Sequence, residues 1–103
     1  RARRPEREAT LACSNALRGN DLAAAREVTT ADMRVRVCEG APMDLTAFVA
    51  RGHELVLSEP IASGDVVTAR CSARDGGRKV EGIAFATFDR ETHKLSDLRL
   101  LWE

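Results

Sequence analysis

The sequence predicts an α+β fold with the element order ααβαββββ, in which helices cover one face of a mostly antiparallel sheet. Apolar residues recur at helical spacing early in the chain, whereas from Met33 they alternate with polar residues as in strands. Turn signals divide the second half into successive strands, which is typical of α+β rather than alternating α/β domains. A sheet covered on one face can curl into a half-barrel, and the mouth of a half-barrel is a usual place for a ligand.

Two helices are predicted at the start of the chain. Over residues 6–18 the apolar side chains form one stripe, and Gly19 is a natural C-terminal stop because glycine adopts a left-handed conformation without steric cost. Asn20 or Asp21 can cap a second helix over residues 22–29. Two helices joined by so short a turn are expected to pack as a hairpin.

A strand over residues 33–37 and a short third helix come next. Asp44 is placed to cap that helix, and Gly52 ends it. Pro60 either ends the following strand or marks it as an edge strand. Turns are expected around residues 63–65, 75–77 and 89–93, and they separate four strands over residues 54–59, 66–73, 79–88 and 94–102.

Length and composition predict one globular domain over residues 1–103, with residues 1–5 frayed. Hydrophobic residues make up 44% and charged residues 31%, and sixteen basic residues balance sixteen acidic ones. A net charge of zero gives no broad field for nucleic acid or an anionic membrane, and no apolar run approaches the ~18 residues of a membrane span. We expect no nucleic-acid or membrane partner.

The three cysteines are widely spaced and form no CxxC or Cys/His pattern, so we expect neither a metal site nor a cofactor. Free thiols are typical of a reducing compartment, which predicts a cytoplasmic location, and the abundance of Ala and Arg suggests a GC-rich bacterial genome. Cys13 and Cys71 are expected to be inert core thiols, because no His or Asn is placed to activate them.

Residues 16–25, ALRGNDLAAA, resemble the helix–turn–helix opening of the SnoaL-like family, within the nuclear-transport-factor-2-like superfamily. Residues 31–37 fill the place of its acidic residue and first strand. Residues 85–89 and the strand ending at Trp102 resemble its final hairpin, so the resemblance covers residues 9–102. It implies a cystatin-like α+β cone, with three helices packed in the concavity of a curved, mostly antiparallel sheet, and often a back-to-back dimer.

The same superfamily contains polyketide cyclases and ketosteroid isomerases, but this sequence lacks the isomerase groups. Those enzymes use a carboxylate base near the end of the first strand, with a Tyr and a neutral carboxylic acid as oxyanion donors. Here the base position falls at about Val37, the acid position at about Ala84, and the chain contains no Tyr. Only the terminal aromatic residue remains, as Trp102, so isomerase chemistry is not expected.

An apolar ligand pocket is predicted on the cone side of the last two strands and the end of the first. Small side chains on the penultimate strand leave volume there for a ring-shaped or acyl ligand, although they also suit close packing of helices. The candidate pocket residues are Val37, Gly82, Ala84, Ala86, Phe88, Leu98, Leu100 and Trp102.

The opposite face of the sheet is the predicted dimer interface. Ile83 and Phe85 flank Glu81 there, and an exposed apolar pair needs a cover such as a second subunit. Arg70 and Arg99 are expected on the same face, paired with Glu81. The alternative is a solvated sheet with scattered apolar residues.

Histidines offer a further candidate. His53 precedes Glu54, and a His near a carboxylate can act as a base at neutral pH. Neighbours on a strand point to opposite faces, so only one of them can enter a pocket, and a surface position is expected for His53. His93 is expected to be exposed in a turn. Asp97 and Arg99 share a face that points away from the cone, which disfavours an epoxide hydrolase site.

Two functions therefore remain open. One is a small-molecule-binding domain that forms a homodimer and holds a small apolar molecule, with isomerase-like or cyclase-like catalysis achieved mainly by orienting the substrate. The other is a non-catalytic dimerisation or interaction module whose cone is filled by side chains. An open apolar cavity would favour the first, and a filled cone the second.

Overall fold

The computed structural model describes residues 4–103 and confirms an α+β fold with a curved sheet. Its helices and strands occur in the predicted order, with one additional short strand. The elements are α1 (Arg4–Arg18), α2 (Leu22–Arg26), β1 (Thr29–Val37), β2 (Met43–Asp44), α3 (Leu45–Ala50), β3 (Val56–Ser63), β4 (Val66–Asp75), β5 (Arg78–Phe88) and β6 (Leu95–Trp102).

The first helix begins two residues earlier than predicted, and Pro5 lies in its first turn, where its missing N–H costs no hydrogen bond. Residues 4 and 5, expected to be frayed, are helical, whereas residues 1–3 lie outside the described residues. Within residues 4–103, each helix is too short or too polar to cross a lipid bilayer.

The boundary between the second helix and the first strand was predicted wrongly. Instead of running to residue 29, α2 ends at Arg26, and β1 begins at Thr29. The hydroxyl of Thr29 donates to the carbonyl of Ala25 at 3.1 Å, and the amide of Leu95 donates to the carbonyl of Val28. Tertiary pairing with β6 therefore takes these β-branched residues away from the helix.

The sheet has the strand order β2-β1-β6-β5-β4-β3. Its pairs are antiparallel except β1 with β6, which are parallel and bring Val37 opposite Leu100. The predicted third-helix cap is confirmed, because the carboxylate of Asp44 accepts from the amide of Ala47 at 2.8 Å. Asp44 also belongs to β2, whose two residues carry no sequence signal of their own.

The strand β3 is an edge strand and continues through Pro60 to Ser63. Its pairing with β4 shifts register between Ser58 and Ile61, and Glu59 has a φ of 53°. A bulge at this point tolerates a proline, because Pro60 lies in the unpaired interval between Ser58 and Ile61.

The core lies between the helices and the inner face of the sheet. Alternate residues of β4, β5 and β6 point inward, as strand pleating requires, and belong to one core cluster with the apolar side of α1, which packs mainly against β3. Ser14 ties α1 to the edge strand, because its hydroxyl accepts from the amide of Leu57 at 2.7 Å and lies 3.3 Å from the Leu57 carbonyl. The helices thus fill the concavity of the sheet.

Candidate functional site

The predicted pocket residues share the inner face of the sheet, but most of them are packed in the core. Five have side chains exposed by 4% or less: Ala84, Ala86, Phe88, Leu98 and Leu100. The core cluster that contains them also includes Cys13 and Leu17 from α1 and Phe48 from α3. Helix side chains therefore occupy the space in which a ligand was expected.

The remaining three predicted pocket residues, Val37, Gly82 and Trp102, are half-buried and lie together at one end of the cone. Gly82 is directly opposite Trp102 in the β5–β6 pair. This end, called the Trp102 end below, is where the interior approaches solvent. Val37 and the buried Ala84 carry no titratable group, so neither can act as an acid or a base.

A buried histidine lies at the Trp102 end, contrary to the surface position expected for it. The His53 residue is only 6% exposed. Its Nδ1 lies 2.8 Å from the carbonyl oxygen of Arg74, and its own carbonyl accepts from the amide of Arg74 at 2.7 Å. Glu54, by contrast, is exposed and pairs with the Arg74 guanidinium at 3.7 Å. The main chain of β4 therefore holds the imidazole inside.

Two aromatic rings enclose the imidazole of His53. The ring centroid of Phe48 lies 5.2 Å away at an interplanar angle of 32°, and that of Trp102 lies 5.6 Å away, edge-on at 63°. Among the described residues, Nε2 of His53 has no hydrogen-bond partner, although it is buried. The sequence singled out His53 as a candidate but placed it at the surface, because the residue types alone did not show that the loop after α3 turns inward.

The indole of Trp102 forms the outer wall of this site. Its Nε1 donates to a carboxylate oxygen of Asp75, in the β4–β5 hairpin, at 3.2 Å. The thiol of Cys38 lies 3.2 Å from the carbonyl oxygen of Trp102. One exposed hydrogen bond therefore holds the indole. The main chain of Trp102 pairs with Gly82 of β5 on one side, and its carbonyl lies next to the Cys38 thiol on the other.

The outer face of the sheet carries the predicted interface residues. The pairing registers place Ile83 between Arg70 and Leu101, and Phe85 next to Arg99, on three adjacent strands. The outer-face patch is made of four exposed apolar side chains: Ile83, Phe85 and Leu101 are neighbours on β5 and β6, and Ile61 lies beyond Thr68 in the row of Phe85.

The charges around this patch do not pair as expected. The guanidinium of Arg70 lies 3.5 Å from the carboxylate of Glu59, across the bulge, rather than pairing with Glu81. Within residues 4–103, neither Glu81 nor Arg99 has an ion-pair partner. The two side chains are left available on the same exposed face.

A buried carboxylate pairs with a histidine at the end of the cone opposite Trp102. His93 is half-exposed in the β5–β6 turn, and its Nδ1 lies 2.5 Å from Oε2 of Glu6, a carboxylate that α1 buries. The other oxygen of Glu6 has no partner among the described residues. The pair connects α1 to the β5–β6 turn, and neither residue borders the two open cavities described next.

Two open cavities lie away from the cone axis. One has a volume of about 450 Å³ and is bordered by Arg26, Thr29 and Lys94, and the other, of about 390 Å³, lies on the outer face beside Arg70. Of the predicted pocket residues, these two cavities contact only Gly82. In the described part of the chain, no cluster of three or more His, Cys, Asp or Glu side chains is arranged to hold a metal ion.

The core cysteines have the properties of inert thiols. Burial raises the pKa of the Cys13 thiol to about 12. Burial also raises the pKa of Cys71 to about 11, although a hydrogen bond from the Gly82 main chain acts in the opposite direction. Neither thiol forms appreciable thiolate at neutral pH, and the thiolate is the reactive species.

No protein-family profile and no curated protein matches the sequence, but solved structures match the fold. A nuclear-transport-factor-2-like protein of unknown function from Cytophaga hutchinsonii aligns with a TM-score of 0.77 at 11% identity, over 95% of this chain and 89% of that one. The chain therefore has the nuclear-transport-factor-2-like fold.

Two further solved structures with this fold carry enzymatic names. A putative SnoaL-like polyketide cyclase from a Jannaschia species aligns with a TM-score of 0.76 at 15% identity, over 96% of this chain and 85% of that one. The epoxide hydrolase/cyclase-like enzyme SalBIII aligns with a TM-score of 0.71 at 16% identity, over 95% and 90%. At such low identities the similarity shows the nuclear-transport-factor-2-like fold alone, because one fold hosts many functions.

Proposed function

We propose that this chain is an interaction module that forms a homodimer through the outer face of its sheet. The observation that carries the proposal is the outer-face patch, whose four apolar side chains are 36–69% exposed on a sheet whose inner face is already filled. Burying apolar side chains of this size against a partner is favourable, at about 25 cal/mol for each Å² removed from water.

Charge favours a second copy of the same chain as the occupant. In a two-fold interface each surface meets itself, so it must carry complementary groups. Suppose that a two-fold axis runs across the strands near Ile83. Arg99 of one copy then lies level with Glu81 of the other copy, one strand away from it. These are the charges that lack ion-pair partners within the described residues of one chain.

Equilibrium sedimentation over a range of protein concentrations tests the proposal. We expect a dimer for the unmodified chain and a monomer for Ile83→Glu, because the introduced carboxylates would be desolvated against each other. Leu11→Glu is the matched control, since Leu11 is 42% exposed on α1 and Ile83 is 41% exposed on the sheet. Circular dichroism checks that both variants keep their secondary structure.

The result would contradict the proposal in either of two ways. The unmodified chain could remain monomeric at the highest concentration tested, which would leave the outer-face patch solvated. Alternatively, Leu11→Glu could weaken the dimer as much as Ile83→Glu, which would place the contact on the helical side of the molecule.

A small-molecule function is the second candidate, and one observation favours it. The interior of the cone is occupied by side chains, but the Trp102 end contains the unpartnered Nε2 of His53. Solved neighbours of the same fold include a putative polyketide cyclase and a cyclase-like enzyme. A ligand at this end would use His53 in place of the acids that are missing at Val37 and Ala84.

A further inference from the structure

The larger of the two open cavities lies at the end of the cone opposite Trp102. With a volume of about 450 Å³, it is bordered by the first residues of β1, the start of α3 and Lys94, which precedes β6. The parallel strands β1 and β6 both begin here, with Thr29 opposite Leu95. The volume is in the range of small-molecule pockets, which hold roughly 300–1,000 Å³. The residues of the outer-face patch lie elsewhere, so this cavity is separate from the proposed homodimer contact.

Two cations border this cavity without ion-pair partners among the described residues. Arg26 is the last residue of α2, and Lys94 lies in the turn before β6, and both are exposed. Other exposed cations of residues 4–103 are paired within the chain, as Arg70, Arg74 and Arg90 are. The positive charge of Arg26 and Lys94 is therefore available to an anion from outside the chain.

The guanidinium of Arg26 is held in place before any ligand binds. One of its nitrogens donates to the hydroxyl oxygen of Thr46, in the first turn of α3, at 2.5 Å. A guanidinium carries five N–H donors, so most of them remain for a ligand. Because the Thr46 oxygen accepts this bond, its own hydrogen is also free to donate. Donors that are already ordered lose less conformational entropy when a ligand binds.

These donors match a phosphate group better than a carboxylate. Arg26, Thr46 and Lys94 supply donors from α2, α3 and the turn before β6, and a phosphate monoester offers three terminal oxygens. Its charge at neutral pH is about −1.5 to −2, which two cations offset, whereas a carboxylate carries a single negative charge. A phosphate group therefore satisfies both the number of donors and the charge.

The rest of the cavity wall suits an organic group that bears hydroxyls. Asp44 lies on this wall, and its Oδ1 accepts from the amide of Ala47 at 2.8 Å, which leaves Oδ2 to accept from a ligand hydroxyl. Ala31, Met33 and Leu45 add apolar atoms to the same wall. A bare phosphate ion would use only the cationic side of the cavity.

We propose that this cavity binds a small phosphate monoester bearing hydroxyl groups. Arg26, Lys94 and Thr46 hold the phosphate, and Asp44 accepts a hydrogen bond from a hydroxyl of the organic part. This binding site is independent of the homodimer, because the two use different residues.

Glycerol 3-phosphate, inorganic phosphate and glycerol are the probes, because together they separate the phosphate from the organic part. Isothermal titration calorimetry gives the affinities, and the ¹H–¹⁵N amide signals of Thr46 and Lys94 locate the site. We expect saturable binding of glycerol 3-phosphate and no saturable binding of glycerol. Inorganic phosphate is expected to bind roughly tenfold more weakly than the ester, the loss typical of one hydrogen bond to a charged group.

Two variants remove the cations one at a time. Lys94→Gln and Arg26→Gln are each expected to weaken the binding of glycerol 3-phosphate by about tenfold or more, because each loses a charge-assisted hydrogen bond. Lys79→Gln is the matched control, since Lys79 is the only other lysine, is exposed, and lies beside the β4–β5 turn. That variant changes the net charge equally and is expected to bind the ester as the unmodified chain does.

Three results would overturn the proposal. Equal weakening by Lys79→Gln and Lys94→Gln would show that binding follows net charge alone. Equal affinity for inorganic phosphate and glycerol 3-phosphate would show that the organic part is not recognised. Binding to phosphatidylcholine vesicles that contain phosphatidic acid, lost in Lys94→Gln, would assign the cavity to a lipid headgroup instead of a free ester.

The comparison of probes needs only the unmodified chain, so it remains decisive if Arg26→Gln does not fold. Sedimentation of the same samples scores the homodimer separately.

Discussion

At the scale of single residues, the fold depends on polar side chains that hold main-chain groups inside a small core. Ser14 uses its hydroxyl to bond both the amide and the carbonyl of Leu57. His53 does the same for Arg74 with its ring and main chain. In both cases the partner belongs to β3 or β4, so these contacts position the strands farthest from β1.

Ser14→Ala is expected to lower the free energy of unfolding by about 1–3 kcal/mol, because it leaves the buried amide of Leu57 without a partner. Urea denaturation followed by circular dichroism measures this change. Ser58→Ala is the control, since Ser58 lies on the same edge strand but is exposed. Equal losses in the two variants would show that the Ser14 contact contributes nothing specific.

The residue types alone were a better guide to which side chains are buried than to where the candidate site lies. The alternation on β4 and β5 correctly separates the inner row of Ala84 and Ala86 from the outer row of Ile83 and Phe85. It did not show that α1 and α3 fill the concavity, because packing volume depends on helix position. The burial of His53 could not be predicted for a similar reason, because it depends on the direction of the loop after α3.

At the scale of elements, turn chemistry set the strand boundaries and tertiary pairing overrode helix propensity. The β4–β5 turn was predicted from its glycines, and Gly76 and Gly77 both have positive φ angles, of 63° and 82°. The end of α2 was misplaced because Thr29 pairs with Leu95, which is distant in sequence. Likewise, β2 forms only because Arg34 and Val35 of β1 provide a strand to pair with.

Close approach of β6 to β5 makes Gly82 a sensitive position. A Cβ atom added there would overlap the carbonyl group of Leu101, which belongs to the backbone and cannot rotate away. Gly82→Ala is therefore expected to lower the free energy of unfolding by roughly 1–3 kcal/mol. Thermal or urea denaturation measures the loss.

Gly19→Ala is the matched control for this substitution. The nearest atom to an added Cβ at Gly19 is the carbonyl oxygen of Ala16, at 4.0 Å, which is an ordinary contact. The explanation fails if both variants are equally stable, because β5 and β6 would then separate without cost.

At the scale of the whole molecule, the buried thiols make the protein less stable as the pH rises into the alkaline range. The pKa of Cys13 is raised from 9.0 to about 12, so the folded state keeps its proton where the unfolded state has lost it. The unfolded state then binds fewer protons, and stability is fully present below pH 9 and is lost between pH 9 and 12. The slope is at most about 1.4 kcal/mol per pH unit for each such thiol.

Urea denaturation at several pH values measures this slope, and Cys13→Ala is expected to make it shallower. Few groups other than the thiols titrate in this range, because the chain has no Tyr and only two Lys residues. An unchanged slope in Cys13→Ala would mean that the thiol is not desolvated in the fold.

The blunt edges of the sheet limit how copies of the chain can aggregate. One edge strand, β2, has two residues, and the other, β3, is interrupted by Pro60 and a bulge beside the charged Glu59. Exposed strand edges are templates for edge-to-edge growth into amyloid-like fibrils, and short, charged or proline-containing edges suppress it. An association through sheet faces closes at two copies. This architecture therefore allows pairing while it discourages polymerisation.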